Sequence, residues 1–500
     1  MALTEDGTLN TAAQTAVDAR RDAPVVALGE SRTVATLAEL LAAGAKVYNV
    51  KQWGAKGNGV ADDTAAIKLA ISKCFPSANN IGLGVLYFPV GTYIVTERLT
   101  IGYAGARYSN VAVFGDGRDV SRLYWQGGDV DGPLELLNCH KPYVGNLSIQ
   151  GGNTTTNKAL FALWFNVEDG KSGFAPRTDN VYLANASEGL KIGGGELLSS
   201  GQANCGLHTG LFTEACDAFV TVYGANTEVQ IIQGWMFGTL LSGGDNSAIH
   251  TYNGRGIYID GFDGTMPGGD CTLLHAEGGT LHDSGGFSIR NGRVERCWRL
   301  AYIEAGDDLA SGASLNVVVD NVEQAEVAGG TTTDPCDVID LRYQGVVTCR
   351  GLTWRQANSR IRVAGLISGR FATVILDGCA LNNDSADPTD VVTMDTAGTS
   401  GTSGGLWTVT RGSWRLNGGD ADAVATERIP DAIVHRTQTD VQGSTSTLVQ
   451  RAGLARFDVP ALGVGNSASA TTLGTVTGKV EVFDNDGTSL GYVPVYGSIT

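Results

Sequence analysis

Past Ala70 the chain shows almost no helical periodicity; Val, Ile, Leu and Thr recur instead in short runs that alternate with polar residues and break at Gly, Asn or Asp. Alternation with a period of two describes strands with one buried face, and the breaks are turn residues, so the pattern predicts many short strands joined by tight bends. The breaks themselves repeat. A Gly or Asn separates two strands at Asn146 (YVGNLSI), Asn180 (TDNVYL), Gly234 (IIQGWMF), Gly261 (YIDGFDG), Gly292 (IRNGRVE), Asn321 (VVDNVEQ), Gly351 (TCRGLTW), Gly378 (ILDGCAL) and Gly412 (VTRGSWR). From Gly234 onward the steps are roughly 25 to 35 residues, uneven in the way that loop insertions on a solenoid make them.

One such unit, for example Leu315 to Asp320 (LNVVVD), a bend and a second strand, cannot bury its own apolar face. It must stack on its neighbours, and stacked units of this kind form an all-β parallel β-helix. Composition agrees, with 69 Gly and only 12 Pro in 500 residues. A solenoid grows by adding turns, so one elongated domain spans about 48–438, with Tyr48 and Thr437 near its ends. Residues 1–47 then form an N-terminal connector, in which Thr33 to Ala43 (TVATLAELLAA) reads as a short apolar helix. Residues 439–500 begin with a Ser, Thr and Gly-rich linker and close with a β module. There Lys479 to Phe483, the turn Asp484-Asn485-Asp486-Gly487 and Leu490 to Tyr496 predict a hairpin.

The one helical signal within the main domain is Trp53 to Ile67, WGAKGNGVADDTAAI. Gly54, Gly57 and Gly59 supply a loop, Asp62 or Asp63 supplies an N-cap carboxylate, and Ala65, Ala66, Leu69, Ala70 and Ile71 make a compact apolar helix that closes the end of the coil.

A formal charge of −17 argues against a nucleic-acid surface and leads us to expect an acidic groove, suited to glycan hydroxyls, cationic sugars or bound calcium. Residues 1–23 lack a signal-peptide core, and no stretch is long and apolar enough to span a bilayer. The nine cysteines include no C-x-x-C pair and are odd in number, so they read as buried thiols, with Cys297, Cys349 and Cys379 expected near one position of different rungs.

Candidate chemistry follows from the repeat. Glycoside hydrolysis takes two carboxyl groups about 5 to 9.5 Å apart, and rungs of a β-helix lie about 4.8 Å apart, so acids at matching positions on adjacent or next-adjacent rungs qualify. Asp263, Glu295 and Glu323 follow the bends of three successive units, Asp260 precedes its own, and Glu277, Glu304, Asp307 and Asp308 lie in nearby bends or loops. An exposed column of acids is also what a solvated face looks like. Trp235, Tyr258, Trp298, Tyr302, Tyr343, Trp354 and Trp414 recur near the bends, where exposed rings stack on sugar C–H faces and buried ones serve the core. His250, His275 and His282 cluster with Asp270, Glu277 and Asp283, followed by Arg290, Arg293 and Arg296; these are parts for a polysaccharide lyase, but the spacing matches no metal-ligand motif and favours loop histidines without a role.

The segment Trp53 to Ile67, followed by Leu86 to Tyr93 (LYFPVGTY), resembles the opening signature of the pectate-lyase superfamily of right-handed parallel β-helices, which includes bacteriophage tailspikes and capsule depolymerases. The matching residues are Gly54, Ala55, Gly57, Gly59, Asp62, Asp63, Thr64, Ala66 and Ile67, then Phe88, Pro89, Gly91, Thr92 and Tyr93. The closing GKVEVFDNDGTSLGYVPVYGSIT also resembles the terminal β module of phage spikes. This resemblance implies a homotrimeric virion spike, joined through its N-terminus to a phage tail or baseplate protein, that meets a bacterial surface polysaccharide. Motifs of the polygalacturonase branch (N-T-D, D-D, G-H-G) and of the pectate-lyase branch (R-x-P-x-x-R) are missing, so pectin chemistry is not implied.

Overall fold

The computed structural model describes residues 46–76, 84–152, 158–194, 201–224, 228–238, 247–252, 254, 256–278, 286–305, 315–328, 336–342, 345–356, 359–364, 371–381, 392–395, 405–411, 433–436, 476–483 and 489–496. The expected helix at Thr33 to Ala43 lies outside them. Apart from the helix Thr64–Cys74 and one turn of 3-10 helix at Val50–Trp53, the elements are strands. Every pairing between the described strands up to residue 436 is parallel, and strands inside the sheets pair with counterparts one unit before and one unit after. The result is the expected parallel β-helix.

Each turn of the coil contributes a short strand to an 11-stranded sheet and a longer, bent strand to a second wall. The bend of the long strand is a single residue with positive φ. It is Asn146, Asn180, Gly210, Gln233, Gly261, Asn291, Asn321, Gly351 or Gly378 on successive turns, with φ between 51° and 67°. Only Gly takes this conformation freely, and Asn tolerates it best among the others. The expected breakers Gly234 and Gly292 therefore stand one residue late: Gln233 and Asn291 make those bends, and the bend at Gly210 escaped the pattern. Neighbouring Asn side chains bridge the turns, Asn180 Nδ2 donating to Asn146 Oδ1 at 2.7 Å and Asn321 Nδ2 to Asn291 Oδ1 at 3.2 Å.

Inside the coil, columns of Val, Ile, Leu and Phe such as Val229, Ile257, Phe287, Val317 and Val347 stack in register and are fully buried. The cysteines are free, all buried except the half-buried Cys205. They do not share one position: Cys349 precedes the bend at Gly351, Cys379 follows the bend at Gly378, and Cys297 follows a separate positive-φ residue, Arg296.

The helix Thr64–Cys74 buries Ile67, Ala70, Ile71 and Cys74 against the first rungs, while Leu69 points to solvent. Its two aspartates divide the work differently from the expectation. Asp63 stands at the N-cap position but makes no side-chain cap bond; its carboxylate accepts instead from the backbone N–H groups of Lys56 and Gly57, tying down the glycine loop. Asp62 Oδ1 takes the Thr64 N–H at 2.9 Å, and the Thr64 hydroxyl on Asp62 holds that carboxyl below its usual range.

Two compact units are recognised, 1–452 and 453–500. In the second, Val476–Phe483 and Ser489–Tyr496 pair antiparallel, as the hairpin pattern predicts. No helix among the described residues is long and apolar enough to cross a membrane.

Candidate functional site

On the outer face of the 11-stranded sheet, alternate residues of each strand line up from turn to turn. One column runs Trp164, Lys191, Thr221, His250, His275, Tyr302, Asp340 and Arg362. Two positions further along each strand, a second column runs Tyr223, Tyr252, Glu277 and Glu304. Side chains at i and i+2 share a face, so the two columns form one strip.

The rings of this strip stack. Tyr223 and Tyr252 lie 5.0 Å apart and nearly parallel, His250 packs on Tyr252 at 4.0 Å and on His275 at 4.5 Å, and His275 packs on Tyr302 at 4.8 Å. Lys191 sits over the rings of Trp164 and Tyr223, and the Tyr223 hydroxyl donates to Glu188 at 2.6 Å. His250 and His275 are thus strand residues within a stack, not loop histidines. Burial, with the neighbouring His275 adding to it, drives the His250 pKa down to about 3, so the imidazole is neutral near pH 7.

Glu277 and Glu304 face each other in register on adjacent strands. They are also the accessible acids of the strip, with side chains 31% and 45% exposed. Their surroundings differ. Glu277 Oε1 lies 3.1 Å from His250 Nε2, whereas Glu304 Oε2 accepts the Tyr302 hydroxyl at 2.8 Å and Oε1 lies 4.0 Å from the Arg342 guanidinium. Burial first, then the bond to Glu304, pushes the Tyr302 phenol up to about 12, so it remains a donor. Arg299 and Arg342 cover the Tyr302 ring at 4.9 and 4.8 Å. Asp340 is fully buried behind them, 3.3 Å from Arg342 and 3.8 Å from Arg362, and burial raises its pKa. Arg360 and Arg362 also hold Asp337. The strip is charge-balanced here, in contrast to the acidic groove expected from composition.

The predicted column after the bend is organised differently. Asp263 and Glu323 share a column, but they are next-adjacent with Arg293 between them, and the same column carries Tyr182, Phe212 and Trp235 on the preceding turns. Glu295 stands two positions further along, aligned with Thr265 and Glu326. Guanidinium groups hold these acids: Arg293 contacts Asp263 and Glu295, and Arg355 contacts Glu323 at 2.9 Å. Before the bend, Asp260, Arg290, Asp320, Arg350 and Asp377 alternate in sign along another column, and Asn291 Nδ2 donates to Asp260 at 2.8 Å.

The expected aromatic track is divided. Tyr302 belongs to the strip, Tyr258 lies on the outside of the bent wall, and Trp235 is half-buried under Arg118. Trp298 and Trp354 are core residues, 6% and 1% exposed, so they are not a sugar platform. Asp307, Asp308, His282, Asp283, Tyr343 and Trp414 fall outside the described residues. Sequence reasoning missed Lys191, Tyr223, Tyr252, Asp340, Arg342 and Arg362. A signal existed in four strands that each place a polar pair at i and i+2: His250-Thr-Tyr252, His275-Ala-Glu277, Tyr302-Ile-Glu304 and Asp340-Leu-Arg342.

By fold the chain is a parallel β-helix. Residues 47–130 match the model of the family described as rhamnogalacturonase A/epimerase, pectate lyase-like. Among curated proteins, the chain is similar to the non-secreted LysM effector LysM19 of Penicillium expansum, 25% identical over 53% of this chain and 24% of that protein. It is also similar to the mannuronan C5-epimerase AlgE5 of Azotobacter vinelandii, 43% identical over 27% of this chain and 13% of that protein. The matched part thus spans no more than about a quarter of these relatives' length. Among solved structures, the full-length tailspike protein 2 of the Escherichia coli O157:H7 bacteriophage CAB120 aligns over 79% of this chain and 42% of its own, at 12% identity and a TM-score of 0.34.

Proposed function

We propose that this chain is a virion tailspike that binds a host surface polysaccharide and depolymerises it by glycoside hydrolysis, with Glu277 and Glu304 as the carboxylate pair. The observation that carries the reading is their register: acids at the same position of adjacent strands stand about 4.8 Å apart at the backbone, close to the 5 to 5.5 Å of a retaining pair. The names of the matched family and of AlgE5 support a polysaccharide as substrate.

Environment assigns the two roles. Glu304, which accepts the Tyr302 hydroxyl and lies close to Arg342, is the nucleophile that attacks the anomeric carbon. Glu277 carries the proton, shared with the neutral Nε2 of His250, and delivers it to the departing glycosidic oxygen. Water then releases the glycosyl-enzyme, with Glu277 taking back a proton. The half-buried Tyr252 and Tyr302 line the strip beside the pair, their ring faces occupied by neighbouring side chains.

A second reading, elimination on a uronate polymer, is favoured by one observation, the pair Arg299 and Arg342 over Tyr302, cations placed to meet a sugar carboxylate. Incubation with a panel of capsular and O-antigen polysaccharides separates the readings. Hydrolysis yields reducing ends without the absorbance of an unsaturated sugar, and Glu304→Gln binds the polymer without cutting it. Unsaturated ends select the elimination; binding without new ends by the unaltered protein leaves a receptor-binding spike. The assembly proposed with this reading is a homotrimer attached to the phage tail through the N-terminal segment, and light scattering that returned a monomer at low concentration would remove it.

A further inference from the structure

We infer that His250, His275 and Glu277 form a binding site for a transition-metal ion of the zinc class, and that occupancy of this site inhibits the protein by drawing Glu277 away from Glu304. The inhibitory half rests on the proposed role of Glu277 and Glu304; the binding half does not.

The three residues come from two adjacent strands, His250 in register with His275, and Glu277 two positions beyond His275 on the same face. One donor atom from each lies within 4.8 Å of the others. Zinc bonds to imidazole nitrogen and carboxylate oxygen are about 2.0 to 2.2 Å, which places tetrahedral ligand atoms about 3.3 Å apart. His250 Nε2 and Glu277 Oε1, at 3.1 Å, already hold that spacing. Rotation of Glu277, the accessible member of the three, adjusts its own two separations, and turning the His275 ring out of its stack on His250 brings the two imidazole nitrogens to bear on one point. The metal takes the place of the proton between His250 and Glu277, and paired strands hold the backbones of His250 and His275 side by side while their rings turn.

Donor chemistry selects the ion. Two imidazoles and one carboxylate suit zinc, nickel, copper or cobalt, whereas calcium and magnesium take oxygen ligands. The calcium suggested by the acidic composition therefore does not fit this site. Three protein ligands leave a fourth position, and Glu304 on the next strand supplies negative charge beside it.

The test uses the full chain, stripped with chelator and dialysed, titrated with Co²⁺ by visible absorption and with Zn²⁺ by calorimetry. The expected result is one ion per chain, with affinity reduced at least about tenfold in His250→Asn and in Glu277→Gln. Circular dichroism and melting confirm that the variants are folded, and Glu277→Gln, at an accessible position, guards against misfolding of the buried histidine variant. Glu304→Gln, which removes the proposed hydrolysis, retains the metal. Zinc is expected to slow polysaccharide cleavage with the same half-saturation as binding. No bound ion, or binding undiminished in both variants, overturns the site, and binding without a change in rate overturns the inhibition. A wild-type protein that binds zinc but cuts none of the polysaccharides overturns the proposed function and leaves the site standing.

Discussion

Two strips on the outside of the same coil carry carboxylates at rung spacing, and they differ in what stands between the acids. After the bend of the long strands, Asp263 and Glu323 are separated by Arg293, with Arg355 on the far side of Glu323. On the 11-stranded sheet, Glu277 and Glu304 are direct neighbours backed by a stack of imidazole and phenol rings, with one arginine, Arg342, 4.0 Å from Glu304. A carboxylate held by an exposed guanidinium is a solvated ion pair with little left to do. A carboxylate beside a desolvated imidazole or phenol can exchange a proton with it. Rung spacing alone places acids; the groups packed around them decide whether they act.

The largest effect that separates the strips is catalytic. Glu277→Gln and Glu304→Gln are each expected to lower the rate of reducing-end release by about 10² to 10⁴ with binding retained, because they remove a proton carrier or a nucleophile at constant volume. Asp263→Asn and Glu323→Gln are expected to leave that rate within about threefold, given that each acid is matched by an arginine. If the second pair, not the first, abolishes cleavage, the assignment of the two strips is reversed.

Next in size is the dependence of stability on pH. His208, fully buried inside the coil, and His250 both have pKa values lowered to about 3, mainly by burial, so the unfolded chain binds protons that the folded chain does not. Stability from these groups is fully present above about pH 6.5 and is lost as the pH falls from there towards about 3. The melting temperature is expected to drop across that window, and less steeply in His208→Gln, provided that variant is folded at pH 7. An identical pH profile in the variant would mean that other groups govern acid unfolding.

At the bend beside the ion-paired strip, Asn321→Ala keeps a β-carbon at positive φ but loses the bond to Asn291 and the tolerance of Asn for this conformation, at a cost of roughly 1 kcal/mol. Asn321→Gly is expected to cost less, and chemical denaturation measures both. Smallest is the pair itself. Glu323→Gln is expected to change stability by about 0.2 to 1 kcal/mol at low salt and by almost nothing at 1 M salt. A larger, salt-resistant loss would show that Arg355 and Glu323 are more tightly packed than their exposure suggests.

Much of the coil is legible in the chain because its causes are local. Alternation of apolar and polar residues, and an Asn or Gly where φ must be positive, are written at Asn146, Asn180, Gly261, Asn321, Gly351 and Gly378. Where Gln233 takes the bend the signal fails, since Gln carries no turn preference of its own and the neighbouring Gly234 draws the eye. The helix start was legible too. Which aspartate capped and which held the loop was not, because both carboxylates satisfy the same local pattern and the approach of Lys56 and Gly57 decides between them.

The sequence by itself determined the β-helix, most of its bends, the closing helix and a set of acids that included Glu277 and Glu304. It could not determine lateral register between turns, because loops of different length separate the strands and one residue of slip moves a side chain to the opposite face. Only the tertiary structure placed His250 on His275, His275 on Tyr302 and Glu277 beside Glu304, residues some 25 to 30 positions apart in the chain and one strand spacing apart in space. It also decided that Trp298 and Trp354 are core and that Arg293 stands between Asp263 and Glu323. Strand formation is a property of neighbours along the chain; alignment across strands follows from the packing of the whole coil.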